Sequence, residues 1–256
     1  MSTTLYACGA DTNCTIGDRH YRIDLPQGYD STTSVGALIW AHGYRGSAAG
    51  VMRNTALRKM ASDAGLALIA VQGINGTWDL PYGPRTFNST GAAEFAYFDA
   101  VIDDAVSRFA IDPNRIVASG FSAGGMMVWN LICARANRFA GFIPFSGTFW
   151  LKPPVQCAPP ISNVIHIHGD QDRTVPLNGR AIADTKQGIV SEALAFYGDL
   201  GAFKAVSDTT HRNLSCENRR NATGNILVFC LFPGGHSFSV QHLRYALDLL
   251  QAAGHL

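Results

Sequence analysis

The sequence predicts a doubly wound α/β fold, formed as one domain over residues 1–256 around a mostly parallel sheet. Three observations predict it. Short apolar runs alternate with helical patterns of ten or more residues, as expected of strands buried on both faces by intervening helices. Of the 256 residues, 47% are hydrophobic and only 15% charged, against roughly 25% charged in an average soluble protein, which excludes a disordered chain. No internal repeat, low-complexity tract or linker-like stretch interrupts the alternation.

The elements follow in order. Strands are predicted at Tyr21 to Leu25, Ala37 to Ala41, Ala67 to Val71, Arg115 to Ser119, Gly141 to Pro144, Asn163 to His168 and Ile226 to Phe232, each a short apolar run. Between them, helical patterns cover Val51 to Ala64, Phe95 to Phe109, Ala123 to Ala136, Ser191 to Leu200 and Val240 to Ala253. Asp112-Pro113-Asn114 is a turn feeding the strand at Arg115, because Pro fixes its own φ and Asn tolerates turn geometry. Residues 1–20 precede this alternation and form an N-terminal extension, expected to be pinned by a disulfide.

Charge and hydropathy limit the partners. Twenty Lys and Arg against 19 Asp and Glu leave a net charge of +1. With no basic block, nucleic acid and anionic lipid are excluded as partners, and a small, mostly neutral molecule is expected. The longest apolar runs, such as Leu66 to Val71, fall far short of the ~18 residues of a membrane span.

Six cysteines at positions 8, 14, 133, 157, 216 and 230 form no C-x-x-C pair and no zinc-type cluster. An even count suggests three disulfides and a secreted or periplasmic protein, with reduced core cysteines the alternative. The expected pairs are Cys8–Cys14, Cys133–Cys157 and Cys216–Cys230. The last would close a hairpin around the turn-like Asn221-Ala222-Thr223-Gly224-Asn225. The N-terminus has neither a basic start nor an apolar stretch, so an export signal is expected to have been removed already.

The segment Arg115 to Asn130 carries the chemistry. It contains G-x-S-x-G as Gly120-Phe121-Ser122-Ala123-Gly124, with an apolar strand before it and an apolar helix directly after Ser122, the context of a nucleophile elbow. A serine that merely starts a helix is the plain alternative. The glycines permit a close strand–helix approach, and the helix N-terminus points its positive dipole end at the serine. The loop His42-Gly43-Tyr44-Arg45-Gly46 follows an earlier strand. Its Tyr44 N–H, with that of Ala123, is a candidate oxyanion hole, and His42 is expected to orient the loop. His166 to Asp172 ends another strand and supplies carboxylates, while Pro233-Gly234-Gly235-His236 follows the last one.

A catalytic triad of Ser122, Asp172 and His236 has the chain order of α/β-hydrolases. Residue reasoning alone does not separate Asp172 from Asp170. His166 and His168 stand two apart on a strand and could face one metal ion, but no third ligand is apparent, so they are expected to be ordinary core or loop residues and no metal is expected. Aromatic residues in the edge loops, Trp78, Tyr82, Phe149, Trp150 and Phe238, could wall an acyl pocket. The gap from Gly147 to Asn163 is too short for a cap domain and contains Pro153, Pro154, Pro159 and Pro160, so no mobile lid is expected.

The motifs AHGYRGSA, DPNRI, GFSAGGMM, HGDQDRTVP and PGGHSF, in this order, resemble the poly(3-hydroxybutyrate) depolymerase-like and feruloyl esterase group of α/β-hydrolases, carbohydrate esterase family 1. The resemblance covers about Tyr21 to Leu250. It implies an exported serine esterase using no metal or organic cofactor. The open, aromatic-rimmed cleft suits feruloyl- or acetyl-type esters or 3-hydroxybutyrate oligomers or polyester over long fatty chains, and a monomer or small homo-oligomer is expected. The resemblance also implies Ser122 as nucleophile, Asp172 as acid and His236 as base. Many members carry Trp two residues after that histidine, where this chain has Phe238. The same triad would serve a serine peptidase or thioesterase, and an inactive relative could act as a binding protein.

Overall fold

The computed structural model describes residues 8–256, so the first seven residues of the expected extension lie outside the described residues. One ten-stranded sheet runs through the molecule. Its centre is six parallel strands in the order β4 (Leu66–Val71), β3 (Val35–Ala41), β5 (Ile111–Phe121), β6 (Gly141–Phe145), β7 (Val164–Gly169) and β12 (Ile226–Phe232). Antiparallel strands extend both edges: β2 (Arg19–Asp24) and β1 (Cys14–Ile16) beyond β4, and β11 (Leu214–Arg220) and β10 (Lys204–His211) beyond β12.

The central strands are nearly continuous apolar runs because both faces are covered. Along β3, Ala37, Ile39 and Ala41 point to one side and Leu38 and Trp40 to the other, the period of two that a strand imposes. Helices α3 (Ala92–Arg108), α4 (Ala123–Ala134) and α5 (Val190–Leu200) pack on the first side. Helices α1 (Ala48–Met52), α2 (Thr55–Asp63) and α6 (Val240–Ala252) cover the second. This is the doubly wound arrangement, with no cap domain between β6 and β7.

The structure corrects the expected elements in three places. The helical run Val51 to Ala64 is two helices, because the Asn54 side chain accepts the Leu57 N–H and caps a new start. The strands β1, β10 and β11 are not evident in the apolar pattern. The eight residues of β10 are all exposed, so no hydrophobic face marks them. A small hairpin, β8 (Arg180–Ile182) with β9 (Thr185–Gln187), stands after β7. No described helix is long and apolar enough to cross a membrane.

The disulfides Cys8–Cys14, Cys133–Cys157 and Cys216–Cys230 are all present. Cys216 and Cys230 are directly opposed on β11 and β12, with Asn221 to Asn225 as the connecting turn, closed by Asn221 N–H to Asn225 O.

Candidate active site

The site is built at the carboxyl ends of the parallel strands, where open α/β sheets place their ligand crevice. Between β5 and α4 the chain turns so sharply that Ser122 adopts φ 61° and ψ −121°, in the left-handed half of backbone space that a non-glycine residue occupies only when its surroundings enforce it. The enforcement is visible. Ser122 N–H donates to Phe145 O at 3.0 Å, while a Cβ on Gly124 would come within 1.9 Å of Ala41 O and one on Gly120 within 2.6 Å of Gly124 O. Only glycine permits this crossing of helix and strand.

His236 lies in the loop after β12. Its Nδ1 faces Asp172 Oδ2 at 2.6 Å, and its ring packs on Phe121, the residue before the serine, at a centroid distance of 4.5 Å. No hydrogen bond joins Ser122 to His236 among the described residues. Asp172 Oδ1 accepts the N–H groups of Thr174 (2.8 Å) and Val175 (2.9 Å). Burial alone would raise the pKa of Asp172, but hydrogen bonds from His168, His236 and Val175 outweigh it and hold the carboxyl well below the usual carboxylate range. Asp170 is engaged elsewhere. Its Oδ1 accepts the Gly234 N–H at 2.9 Å and so ties down the loop that carries His236.

Histidines 166 and 168 are neighbours on β7, with ring centroids 5.2 Å apart. They are fully buried and joined in a line of hydrogen bonds. Trp129 Nε1–H can only donate, so His166 Nδ1 accepts it at 3.1 Å. The His166 Nε2–H then donates to His168 Nδ1 at 2.9 Å, and His168 Nε2–H donates to Val175 O at 2.8 Å. Every ring nitrogen has a partner. No group of three or more possible metal ligands occurs among the described residues.

His42 is similarly engaged. Its Nε2 accepts the Gly73 N–H (3.0 Å), which assigns the proton to Nδ1 for donation to Gly43 O (2.8 Å). Trp78 Nε1 donates to His42 O at 2.8 Å. The loop 43–46 is thereby fixed, and the N–H groups of Tyr44 and Ala123 have no protein acceptor among the described residues.

A cavity of about 390 Å³ opens at this point, with Ser122, Ala123 and Tyr44 in its wall. Trp78, Leu80, Met126, Trp150, Val175 and Ile182 make most of the remaining surface apolar. Of the expected aromatic residues, Trp78 and Trp150 line it. Tyr82 does not: its ring meets Phe87 edge-on at 5.5 Å. Phe238 is also a correction, since it packs behind the elbow against Trp40, Phe121 and Phe145 at 4.9, 5.6 and 6.1 Å. Phe149 is buried against Trp129. Sequence reasoning missed Arg85, Arg180, Ile182 and Gln187 in the wall. They sit in a loop and in the β8–β9 hairpin, which have no hydrophobic periodicity to announce them.

Burial lowers the pKa of His42, against the opposing pull of the Gly43 carbonyl, and that of His166 far more, with His168 adding to it. The unfolded chain therefore binds protons at these rings that the folded protein refuses, from their ordinary value of 6.5 downward. Stability is intact above that pH and falls below it, by about 1.4 kcal/mol per pH unit for each such ring. Asp172, depressed in the folded state, adds its loss only below its ordinary 3.8. Urea unfolding at pH 7, 6 and 5 is expected to show a steady decline; a flat profile would contradict neutral buried imidazoles.

The fold is that of the α/β-hydrolases. A family profile described as Phospholipase/Carboxylesterase matches residues 88–197. The chain is 33% identical over 144 residues to a protein of Nocardia uniformis subsp. tsuyamanensis named "Putative esterase NocK", covering 56% of this chain and 41% of that one. It is 25% identical over 169 residues to feruloyl esterase C of Emericella nidulans, covering 64% and 58%. The chain thus spans about half the length of the curated relatives it matches. Among solved structures, an acetyl xylan esterase from Aspergillus awamori superposes with a TM-score of 0.70 at 14% identity, over 94% of this chain and 98% of that one. A feruloyl esterase module from Clostridium thermocellum gives 0.61 at 16%, over 91% and 82%. At such identities the likeness is one of fold.

Proposed function

We propose that the chain is a serine carboxylic-ester hydrolase working through an acyl-enzyme. The observation that carries the reading is the strained Ser122 at the mouth of an apolar cavity, beside a histidine bonded to a buried carboxylate at 2.6 Å. A neutral serine hydroxyl is a weak nucleophile, so His236 takes its proton as Oγ attacks the ester carbonyl. Hydrogen bonds between such groups are commonly long without substrate and tighten around it. Asp172 accepts from Nδ1–H, sets the tautomer and stabilises the imidazolium. The N–H groups of Tyr44 and Ala123 receive the oxyanion. The histidine then returns its proton to the leaving alcohol, and water, deprotonated by the same ring, releases the acid.

The similarity to feruloyl and acetyl xylan esterases, with a cavity bounded by Trp78 and Trp150, supports compact or aromatic acyl groups, or 3-hydroxybutyrate oligomers, over long fatty chains. The stretch between β6 and β7 forms no helix, so among the described residues no helical lid there responds to an oil–water interface. Three disulfides support residence in an oxidising compartment, secreted or periplasmic.

A fluorophosphonate probe is expected to label Ser122, as read by peptide mapping; a folded protein that stays unlabelled is a binding protein and not this enzyme. With activity established, kcat/KM on methyl ferulate or short acyl esters is expected to exceed that on dodecanoyl to hexadecanoyl esters. No jump in rate is expected above the solubility limit of the long substrates, and such a jump would refute the open-cleft reading.

A further inference from the structure

We infer that the cavity beside Ser122 holds a carboxylate subsite, so that the preferred ester carries a free acid on the portion seated there. This deepens the ester-hydrolase reading and rests on it. Among the described residues, the only charged side chains in the cavity wall are Arg85 and Arg180, and no Asp or Glu lines it. Neither guanidinium has a carboxylate partner among the described residues, so no protein anion competes there with a ligand.

Their placement is built. Arg85 sits in a tight turn closed by Thr86 N–H to Gly83 O at 3.0 Å, with Thr86 Oγ1 donating to Leu80 O at 2.7 Å. Arg180 starts the β8–β9 hairpin, opposite Gln187, and its Nε donates to Gln187 Oε1 at 3.2 Å, which leaves the terminal nitrogens free of partners among the described residues. The two walls are joined, since Thr185 Oγ1 donates to Tyr82 O at 2.7 Å. Trp150 bridges to Gln187 on the same hairpin. The backbones that carry the two guanidiniums are therefore tied to each other at the rim of an apolar cleft, and a planar guanidinium there suits a bidentate anion such as carboxylate. The two arginines make this rim locally cationic in a chain whose net charge is only +1. Free-acid oligomers of a hydroxy acid and half-esters of dicarboxylic acids have this chemistry.

The test compares matched pairs. Monomethyl glutarate is set against methyl valerate, with the acid on the acyl side. The free-acid dimer of 3-hydroxybutyrate is set against its methyl ester, with the acid on the alcohol side. In at least one pair the acid is expected to be preferred by about tenfold or more in kcat/KM, the scale of one charge-assisted hydrogen bond. That ratio should shrink with added salt and fall to about one in the Arg85→Gln/Arg180→Gln double variant. The double Arg→Lys variant, which keeps the charge, should hold part of it. Equal rates within both pairs, or a ratio unmoved by the Gln substitutions, would overturn the subsite. If none of the four compounds is turned over, the fluorophosphonate label decides the esterase reading separately, and the subsite is read by calorimetry on Ser122→Ala protein. Tighter binding of monomethyl glutarate than of methyl valerate sustains it, and equal or absent binding overturns it.

Discussion

Ser122→Ala is expected to lower kcat on short p-nitrophenyl esters by about four orders of magnitude or more, since a triad without its nucleophile retains only the modest catalysis of the oxyanion donors and binding. The fold should survive. Ser122 Oγ makes no hydrogen bond to any described residue, and the backbone bond to Phe145 O that holds the turn does not involve the side chain. Alanine inherits the same φ of 61° and the same strain, so the change is isolated to the attacking atom. KM should move little, because the cavity wall is otherwise intact. Initial rates together with near-ultraviolet circular dichroism check both halves; activity within about tenfold of the parent would remove Ser122 from the mechanism.

What was legible in the sequence follows from how strongly each segment's physics is local. The buried strands β3, β4, β5, β6, β7 and β12 are short apolar runs bounded by turn residues, and the structure has them within a few residues of the expected ends. The elbow was legible because a positive φ and a backbone crossing at 1.9 Å from a notional Cβ demand Gly120 and Gly124 around the serine. The lining of the cavity was not. Aromatic side chains in loops carry no period, so Trp78 and Phe238 look alike in sequence, yet one lines the cavity and the other packs against Trp40. The β8–β9 hairpin, exposed at Arg180 and Ala181, has no apolar face to give it away, and Arg180 enters the wall only through it. The line from Trp129 through His166 to His168 was equally hidden. A spacing of two shows that two histidines share a face, but not that a tryptophan from a helix 37 residues earlier supplies the donor.

Asp170 and Asp172, two residues apart at the end of β7, offer the sharper discrimination. Asp172→Asn is expected to cost about 10⁴-fold in kcat, and Asp170→Asn less than about tenfold. Their hydrogen-bond partners separate them. Asp172 Oδ2 faces His236 Nδ1 at 2.6 Å, while its Oδ1 is occupied by the N–H groups of Thr174 and Val175. Those two donors require the oxygen of an introduced amide at Oδ1, which turns its NH2 toward His236. The imidazole must then accept at Nδ1 and carry its proton on Nε2, the tautomer that cannot deprotonate Ser122. The nearby His168 Nε2–H, 3.4 Å from Oδ2, opposes the amide NH2 further. Asp170, by contrast, is exposed, and its Oδ1 only accepts the Gly234 N–H, which an asparagine oxygen accepts equally well. Single-turnover rates for the two variants decide the matter: the reverse ranking would transfer the acid to Asp170 and leave the histidine and serine in their places.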